Sequence, residues 1–374
     1  MNKESKKKIL FLHKGGDWMR GSEYSLLSII KGLQARSYDC TLWSNAKTLL
    51  SSVSTQGVSV KYEEFPYFML DPGDRSLDIF GVIKLIFRIY RTIRSEGYQV
   101  VYCNGALPAQ AGYIAAKLAG VPIVCHVRAT YPYRYIQLFN MNRCDTTIFV
   151  SNTTRDYHLS RVKFKNPVTV YNGIDPGRTK DNALTDFKLP VSEKFNSIRL
   201  CQIGAVVKYK GMDTIIEAME ILKKKKIYPY FYLAGKGEHL ELYRTAVQNR
   251  SLDDQIIFLG EVTNITQLLA EHTDVTVLAT SIEESFGRVI VEGYFEGKPA
   301  IGSITGGIPE VIDEGKTGLL FERKNAAELA KCIRYFHDNR ESIQIMGENG
   351  REHAKKHFSD KVLVENVHKV VSQL

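Results

Sequence analysis

Two carboxylates eight residues apart carry the most specific chemistry in this sequence. They lie in Ser281-Ile282-Glu283-Glu284-Ser285-Phe286-Gly287-Arg288-Val289-Ile290-Val291-Glu292, after an apolar strand from Asp274 to Ala279. Glu284 falls in the loop, and Glu292 falls two turns away from it, inside a helix that should begin just past Gly287. Carboxylates accept hydrogen bonds from hydroxyls, so both suit a sugar or a ribose. Gly287 lets backbone approach a ligand, and the free N–H groups of the helix start suit an anion such as a diphosphate. Two solvated glutamates on a surface helix are the plainer reading. The apolar neighbours of Glu292 (Val289, Ile290, Val291, Tyr294 and Phe295) weigh against it. Downstream, Gly302-Ser303-Ile304-Thr305-Gly306-Gly307-Ile308-Pro309-Glu310 follows a short strand, Pro299 to Ile301. Glycines and hydroxyls after a strand make an anion or sugar nest, or a plain tight turn.

The first half offers weaker candidates. His126 ends the strand Ile123 to Val127, where a lone histidine is more often structural. Arg128, Tyr131, Tyr133 and Arg134 follow it, and such a set can hold an acceptor by stacking and by phosphate contacts, or form a solvated loop. Between strand one and the next helix lie Lys14-Gly15-Gly16 and Gly21-Ser22-Glu23. Ser22 can cap that helix and Glu23 can favour its first turn.

The elements that must position these residues are short apolar strands alternating with amphipathic helices. Lys8 to His13 holds a continuous apolar run, as expected of a parallel strand buried on both faces. Strands at Asp39–Trp43, Gln99–Cys103, Ile123–Val127, Thr146–Ser151 and Val168–Tyr171 follow, with helices at Ser22–Arg36, Leu77–Glu96 and 108–119. The stretch between Trp43 and Leu77 reads as loose. The rhythm restarts with strands at Arg199–Gly204, Tyr230–Ala234, Ile256–Gly260 and Asp274–Ala279, separated by helices at Met212–Lys226, Glu238–Asn249 and Ile265–Glu271. This predicts two doubly wound α/β domains, 1–175 and 198–355, a linker over 176–197 and a C-terminal helix over 356–374 that packs back on the first domain. Ligands of such sheets bind at the carboxyl ends of strands.

As a set, these strings resemble the retaining glycosyltransferases of family 4, also called group 1. The resemblance rests on Glu284-Ser285-Phe286-Gly287 through Glu292, on Gly306-Gly307-Ile308-Pro309-Glu310 and on Gly315-Lys316-Thr317-Gly318-Leu319-Leu320. It extends to Val170-Tyr171-Asn172-Gly173-Ile174-Asp175, Ile203-Gly204 through Lys210-Gly211-Met212-Asp213, Leu233-Ala234-Gly235-Lys236-Gly237-Glu238 and Phe258-Leu259-Gly260. It implies the GT-B fold, two Rossmann-like doubly wound parallel-sheet domains facing a central cleft. It also implies transfer of a hexose-type sugar from an NDP-sugar with retention, without a metal or other cofactor. On this sequence Glu284 would sit near the donor sugar, Glu292 would hold the ribose, and Lys210 would neutralise the diphosphate. Ser285, Phe286, Gly287, Arg288 and Val289 would present backbone near the phosphates. Gly235, Lys236, Gly237 and Glu238 would flank the nucleobase. Gly16, Gly21 and Ser22 would close on the donor diphosphate, Glu23 would meet the acceptor, and His126 would approach the donor sugar. The family's arginine after the strand-end glycine is replaced by Ala205, and Lys208 is the cation that can compensate. No nucleophile for a double displacement stands out, so front-face attack is the expectation.

Composition sets the remaining bounds. The 374 residues are 44% hydrophobic and 24% charged, which is ordinary for globular domains. The six cysteines form no Cys-x-x-Cys pair and read as reduced, buried thiols. No apolar run is long enough to span a bilayer, and Ile9 to His13 is too short for a signal-peptide core, so a cytoplasmic protein is expected. The charge is +9, but the 50 basic residues are dispersed among 41 acids, which argues against nucleic acid. Lys84, Arg88, Arg91 and Arg94 share one face of the helix ending at Glu96, a pattern that suits an anionic membrane surface or simple solvation. Together with the family, this points to a UDP- or GDP-sugar donor, a glycan or lipid-linked acceptor, and cell-envelope polysaccharide or lipopolysaccharide assembly, in the cytoplasm or peripherally at the inner face of the membrane. The alternatives are a sugar-nucleotide epimerase, a phosphorylase-like enzyme of similar fold, and an inactive binding relative.

Overall fold

In the computed structural model, which describes residues 6–66, 78–175 and 197–374, the apolar run of strand one is divided between two faces. Ile9 and Phe11 pack on one side of the sheet, Leu10 and Leu12 on the other. Every residue of the run is fully buried, as a central strand covered on both faces requires.

The chain divides into two units, Met1–Gly173 joined by Asp360–Leu374, and Ile174–Ser359. The first unit runs β1 (Lys8–His13), α1 (Gly21–Gln34), β2 (Asp39–Ser44), α2 (Lys47–Ser54), β3 (Ser59–Tyr62), α3 (Ile79–Glu96), β4 (Val100–Asn104), α4 (Ala106–Ala119), β5 (Ile123–Val127), α5 (Tyr133–Leu138), β6 (Thr146–Phe149), α6 (Asn152–Leu159) and β7 (Pro167–Thr169). Its parallel sheet has the order β3-β2-β1-β4-β5-β6-β7. The second unit runs β8 (Arg199–Ile203), α7 (Met212–Lys224), β9 (Tyr230–Ala234), α8 (Leu240–Asn249), β10 (Ile256–Gly260), α9 (Ile265–His272), β11 (Val275–Leu278), α10 (Arg288–Phe295), β12 (Ala300–Ser303), α11 (Ile308–Val311), β13 (Gly318–Phe321), α12 (Ala326–Asp338) and α13 (Glu341–His357). Its parallel sheet has the order β10-β9-β8-β11-β12-β13. The final helix, α14 (Asp360–Ser372), belongs to the first unit and lies against α1. Gly32 gives it room, because a side chain there would strike Val364. Arg36 pairs with Glu365 at 3.3 Å.

Several elements depart from the sequence expectations. The stretch read as loose contains α2 and β3. α2 buries only Leu49, Leu50 and Val53, and β3 is an exposed edge strand, so neither carries a long apolar signature. Residue 77, where a helix was expected to begin, lies outside the described residues, as does the expected linker except Ser197. α13 continues through residue 355 to His357, and α14 starts at Asp360. α3 buries Leu85, Ile86, Ile89 and Ile93. Its outward face is not only basic: Ile79, Phe80, Ile83 and Phe87 are exposed, Phe80 at 79%.

Candidate functional site

In the second sheet, β9 and β11 flank β8, so the connections leave β8 in opposite directions. The loops at such a switch point diverge at the carboxyl ends of their strands and leave room for a ligand. Here the loops after β8 and β11 are locked together. Tyr209 O accepts from Ser281 N at 2.8 Å and from Thr280 Oγ1 at 3.1 Å. Gln202 donates to Lys210 O at 3.1 Å and accepts from Ala279 N at 3.2 Å. Gly211 (φ +79°) makes the approach possible, since a side chain there would overlap the Ala279 carbonyl. The result is an ion pair across 74 residues of sequence, Lys210 Nζ to Glu284 Oε2 at 2.7 Å. Both side chains are about three-quarters buried.

The glycine-rich loop after β12 grips Glu284 from its other side. Gly307 N donates to Glu284 O at 2.7 Å, and Thr305 Oγ1 donates to Ile282 O at 3.2 Å. Ser303 Oγ donates to Thr280 O at 2.8 Å. Three loops therefore fix one carboxylate and one ammonium at the switch point. Such a pair can offer a carboxylate to sugar hydroxyls and a cation to phosphate oxygens.

α10 begins at Arg288, directly after Gly287. Phe286 is buried against Phe358, ring centroids 5.4 Å apart, so it can offer a ligand only backbone. Ser285 and Val289 are half-buried. Arg288, expected to contribute backbone, also uses its side chain: Nε lies 2.9 Å from Glu292 Oε1, one turn along. Gly235 N donates to Gly260 O at 2.6 Å and Val206 N to Lys236 O at 2.9 Å, tying the loop Gly235–Glu238 to the one after β8. The Lys236 side chain pairs with Glu261 at 2.8 Å on the surface, an interaction of little weight. Glu238, Gly237, Ala205 and Lys208 are exposed.

The first sheet has its own switch point, between β1 and β4. Register brings His13, Asn104 and His126 side by side at the carboxyl ends of β1, β4 and β5. His13 Nδ1 lies 3.0 Å from Asn104 Nδ2, and His13 Nε2 lies 3.2 Å from Glu23 Oε1. Arg20 N and Ser22 Oγ donate to Glu23 Oε2 at 3.1 and 2.7 Å. Burial alone would raise the Glu23 pKa, but the hydrogen bonds from His13 and Ser22 outweigh it and lower it to about 2. Glu23 and Ser22, expected to meet acceptor and donor, are thus engaged in holding the β1–α1 loop, which runs from Gly16 to Gly21 at the start of α1. Gly16 lies beneath the indole of Trp18, on which Arg20 stacks at 4.6 Å.

Arg128 donates from Nε and Nη2 to Asn104 Oδ1 at 3.0 and 2.7 Å, and from Nη1 to Asn172 Oδ1 at 2.6 Å. It binds the last strand's Asn-Gly motif to this network. His126 is fully buried. Burial, then the Arg128 charge, hold its pKa well below the usual histidine range. Tyr131 is partly buried against the apolar core and donates its backbone N–H to His158 Nε2 at 3.1 Å. Tyr133 and Arg134 are exposed on α5, and Arg134 stacks on Tyr135 at 5.0 Å. The sequence reading missed His13, Asn104 and Asn172. For the first two a signal existed: each is the polar residue that ends an otherwise apolar strand. Among the described residues, no group of three or more His, Cys, Asp or Glu could hold a metal ion.

Comparison with known proteins agrees with this architecture. Residues 19–178 match the domain model described as Glycosyltransferase Family 4, and residues 186–353 match Glycosyl transferases group 1. The chain is 25% identical over 317 residues to N-acetyl-alpha-D-glucosaminyl L-malate synthase of Bacillus anthracis, covering 82% of this chain and 80% of that protein. It is 26% identical over 222 residues, 56% of each chain, to a GDP-mannose-dependent alpha-(1-6)-phosphatidylinositol monomannoside mannosyltransferase of Mycobacterium tuberculosis. Among solved structures, a glycosyltransferase from Rickettsia africae superposes with a TM-score of 0.83 at 20% identity, covering 98% of both chains. Anabaena HepE in complex with UDP superposes with a TM-score of 0.81 at 20% identity, covering 98% of this chain and all of that one.

Proposed function

We propose that this chain, a GT-B glycosyltransferase by its two domain matches and its fold, moves a hexose-type sugar from a UDP- or GDP-sugar to a hydroxyl of a glycan or lipid-linked glycan, with retention at the anomeric carbon. The observation that carries this reading is the Lys210–Glu284 pair, fixed by three loops at the switch point of the second sheet. Breaking the bond between C1 and the phosphate oxygen develops negative charge on the leaving nucleoside diphosphate. Lys210 and the backbone N–H groups opening α10 can stabilise that charge without a metal. Glu284 accepts hydrogen bonds from sugar hydroxyls, and the Glu292 carboxylate accepts from the ribose. The acceptor oxygen attacks C1 from the face the phosphate leaves, and its proton passes to the departing phosphate oxygen. Lys208, exposed on the loop after β8, supplies the second cation in place of the arginine missing at Ala205.

The acceptor side of the reading draws on α3. Ile79, Phe80, Ile83 and Phe87 are exposed beside Lys84, Arg91 and Arg94, an arrangement that favours an anionic lipid surface and hence a lipid-linked acceptor in cell-envelope polysaccharide assembly. No helix among the described residues is long and apolar enough to cross a membrane, so such contact would be peripheral.

The test is a panel of UDP-, GDP- and ADP-sugars, read for nucleotide release and for the anomer of the freed sugar, with and without EDTA. Release from a UDP- or GDP-sugar, unaffected by EDTA and with the donor's anomeric configuration kept, is the expected result. An inverted anomer or abolition by EDTA would overturn the mechanism, and no turnover of any donor would favour an inactive relative with Ala205 as the cause.

A further inference from the structure

The loop between β1 and α1 presents an exposed indole with a guanidinium laid on it. Trp18 is 55% exposed, while the chain's other tryptophan, Trp43, is buried. Arg20 is exposed as well, and its guanidinium carbon lies 4.6 Å from the centre of the Trp18 ring. The loop that carries the pair is fastened to its neighbours. Gly15 N donates to Asn45 Oδ1 at 3.0 Å, and Asn45 Nδ2 donates back to Gly15 O at 3.1 Å. Asp17 Oδ1 accepts from Lys47 N at 3.0 Å, and Asp17 O accepts from Thr48 Oγ1 at 2.8 Å. Arg20 N donates to Glu23 Oε2 at 3.1 Å. The segment from Gly15 to Arg20 is thus tied to the residue after β2 and to the first turns of α2 and α1.

The stack decides what Arg20 can offer. A guanidinium lying on an aromatic ring is held through its face, and its N–H donors stay in its own plane, directed outward. Both acids nearby in sequence are engaged elsewhere. Asp17 takes the Lys47 backbone, and Glu23 takes His13, Ser22 and the Arg20 backbone. Among the described residues, no carboxylate stands within ion-pairing distance of the Arg20 guanidinium. The loop leaves the carboxyl end of β1, which with β4 makes the switch point of the first sheet, the place where such sheets receive ligands. A planar fork of donors there matches the paired oxygens of a phosphate or a carboxylate.

We infer that Trp18 and Arg20 form an oxyanion site of the first unit, and that the acceptor carries the matching group, a phosphate or a carboxylate. The acceptor part rests on the proposed function; the oxyanion site does not. Trp18 orients the guanidinium, and Arg20 makes the charge-assisted bonds. A neutral glycan offers this fork only hydroxyls, so the pair selects acceptors by charge.

The experiment titrates the full chain at low salt with glucose 6-phosphate, glucuronate and glucose, read by tryptophan fluorescence. Trp18 is the reporter, since Trp43 is buried with Lys61 Nζ 3.6 Å from its ring centre. At least one of the two charged sugars should give a saturable change and glucose none. The tighter of the two identifies the group as phosphate or carboxylate. Arg20→Gln, a change at an exposed side chain that a thermal melt can show to be folded, should weaken that binding by about tenfold or more, the loss of a charge-assisted bond. Arg20→Lys keeps the charge but not the planar fork, and should fall between the two. No saturable response to either charged sugar, an equal response in Arg20→Gln, or a response that potassium chloride reproduces at the same ionic strength would overturn the site. None of these readings needs turnover, so they stand apart from the sugar-nucleotide panel. Calorimetry with UDP and GDP should find the same affinity in wild type and Arg20→Gln. A parallel loss for a nucleotide would mean that Arg20 serves the donor, and would refute the acceptor assignment.

Discussion

Replacing Gly306 by alanine tests the idea that the loop after β12 exists to place Glu284. Gly306 has φ +52°, and a methyl group there would overlap the Glu284 carbonyl, well inside the 3.0 Å that real Cβ atoms keep. The left-handed backbone costs about 1–2 kcal/mol for any residue with a Cβ. The overlap adds a displacement: the Glu284 peptide must retreat by about 1 Å, and misplacement on that scale costs on the order of a hundredfold in rate. Gly315 provides the control. It has φ +73°, but its added methyl group meets nothing within 4 Å, so Gly315→Ala carries the backbone cost alone. Both variants should therefore melt a few degrees below wild type, at about 2–4 °C per kcal/mol for a unit of this size. Donor hydrolysis should fall about a hundredfold in Gly306→Ala and stay within about twofold of wild type in Gly315→Ala. Initial rates and thermal melts of the two proteins provide the assay. Equal turnover in both would refute the claim that this loop positions Glu284.

Three further outcomes follow from the same geometry. Glu23 has a folded pKa of about 2 against 4.5 unfolded, so its stabilisation is present above pH 4.5 and fades as pH falls from 4.5 toward 2. At 1.36 kcal/mol per unit the ceiling is about 3 kcal/mol, and urea titrations should find Glu23→Gln less stable at pH 7, the gap closing toward pH 2. Arg288→Ala removes the partner that holds Glu292 Oε1 at 2.9 Å; steady-state kinetics should show the donor KM rising about tenfold with kcat nearly unchanged, because ribose binding is common to ground and transition states. Phe80→Ser combined with Phe87→Ser should weaken sedimentation with vesicles containing anionic lipid, leaving soluble-donor hydrolysis unchanged; equal sedimentation of variant and wild type would count against α3 as the contact.

The parallel strands could be read from sequence because each is buried on both faces: Ile9-Leu10-Phe11-Leu12 and Val100-Val101-Tyr102-Cys103 leave little alternative. The start of α10 after Gly287 was equally legible. α2, β3, α5 and α6 were not, since short or partly exposed elements hold too few apolar residues for a period to stand out. The ion pairs at the site were invisible for a different reason. Lys210 and Glu284 meet only because Gly211, Gln202 and Gly306 let three distant loops interlock. Register places Asn104 next to His126, and Tyr102 beneath them, through pairing that no local pattern encodes. Glu23 reads from sequence as a polar residue available to a ligand, and only the fold reveals His13 waiting beneath it.

On the proposed function, the interlocked loops of the second unit hold a nucleoside diphosphate through Lys210. Titration calorimetry of UDP and GDP against wild type and Lys210→Ala tests it most directly. One nucleotide should bind the wild-type chain and bind Lys210→Ala about tenfold to a hundredfold more weakly, the loss of a charge-assisted contact to phosphate. Equal affinity in the two proteins, or no affinity for either nucleotide in the wild type, would contradict it.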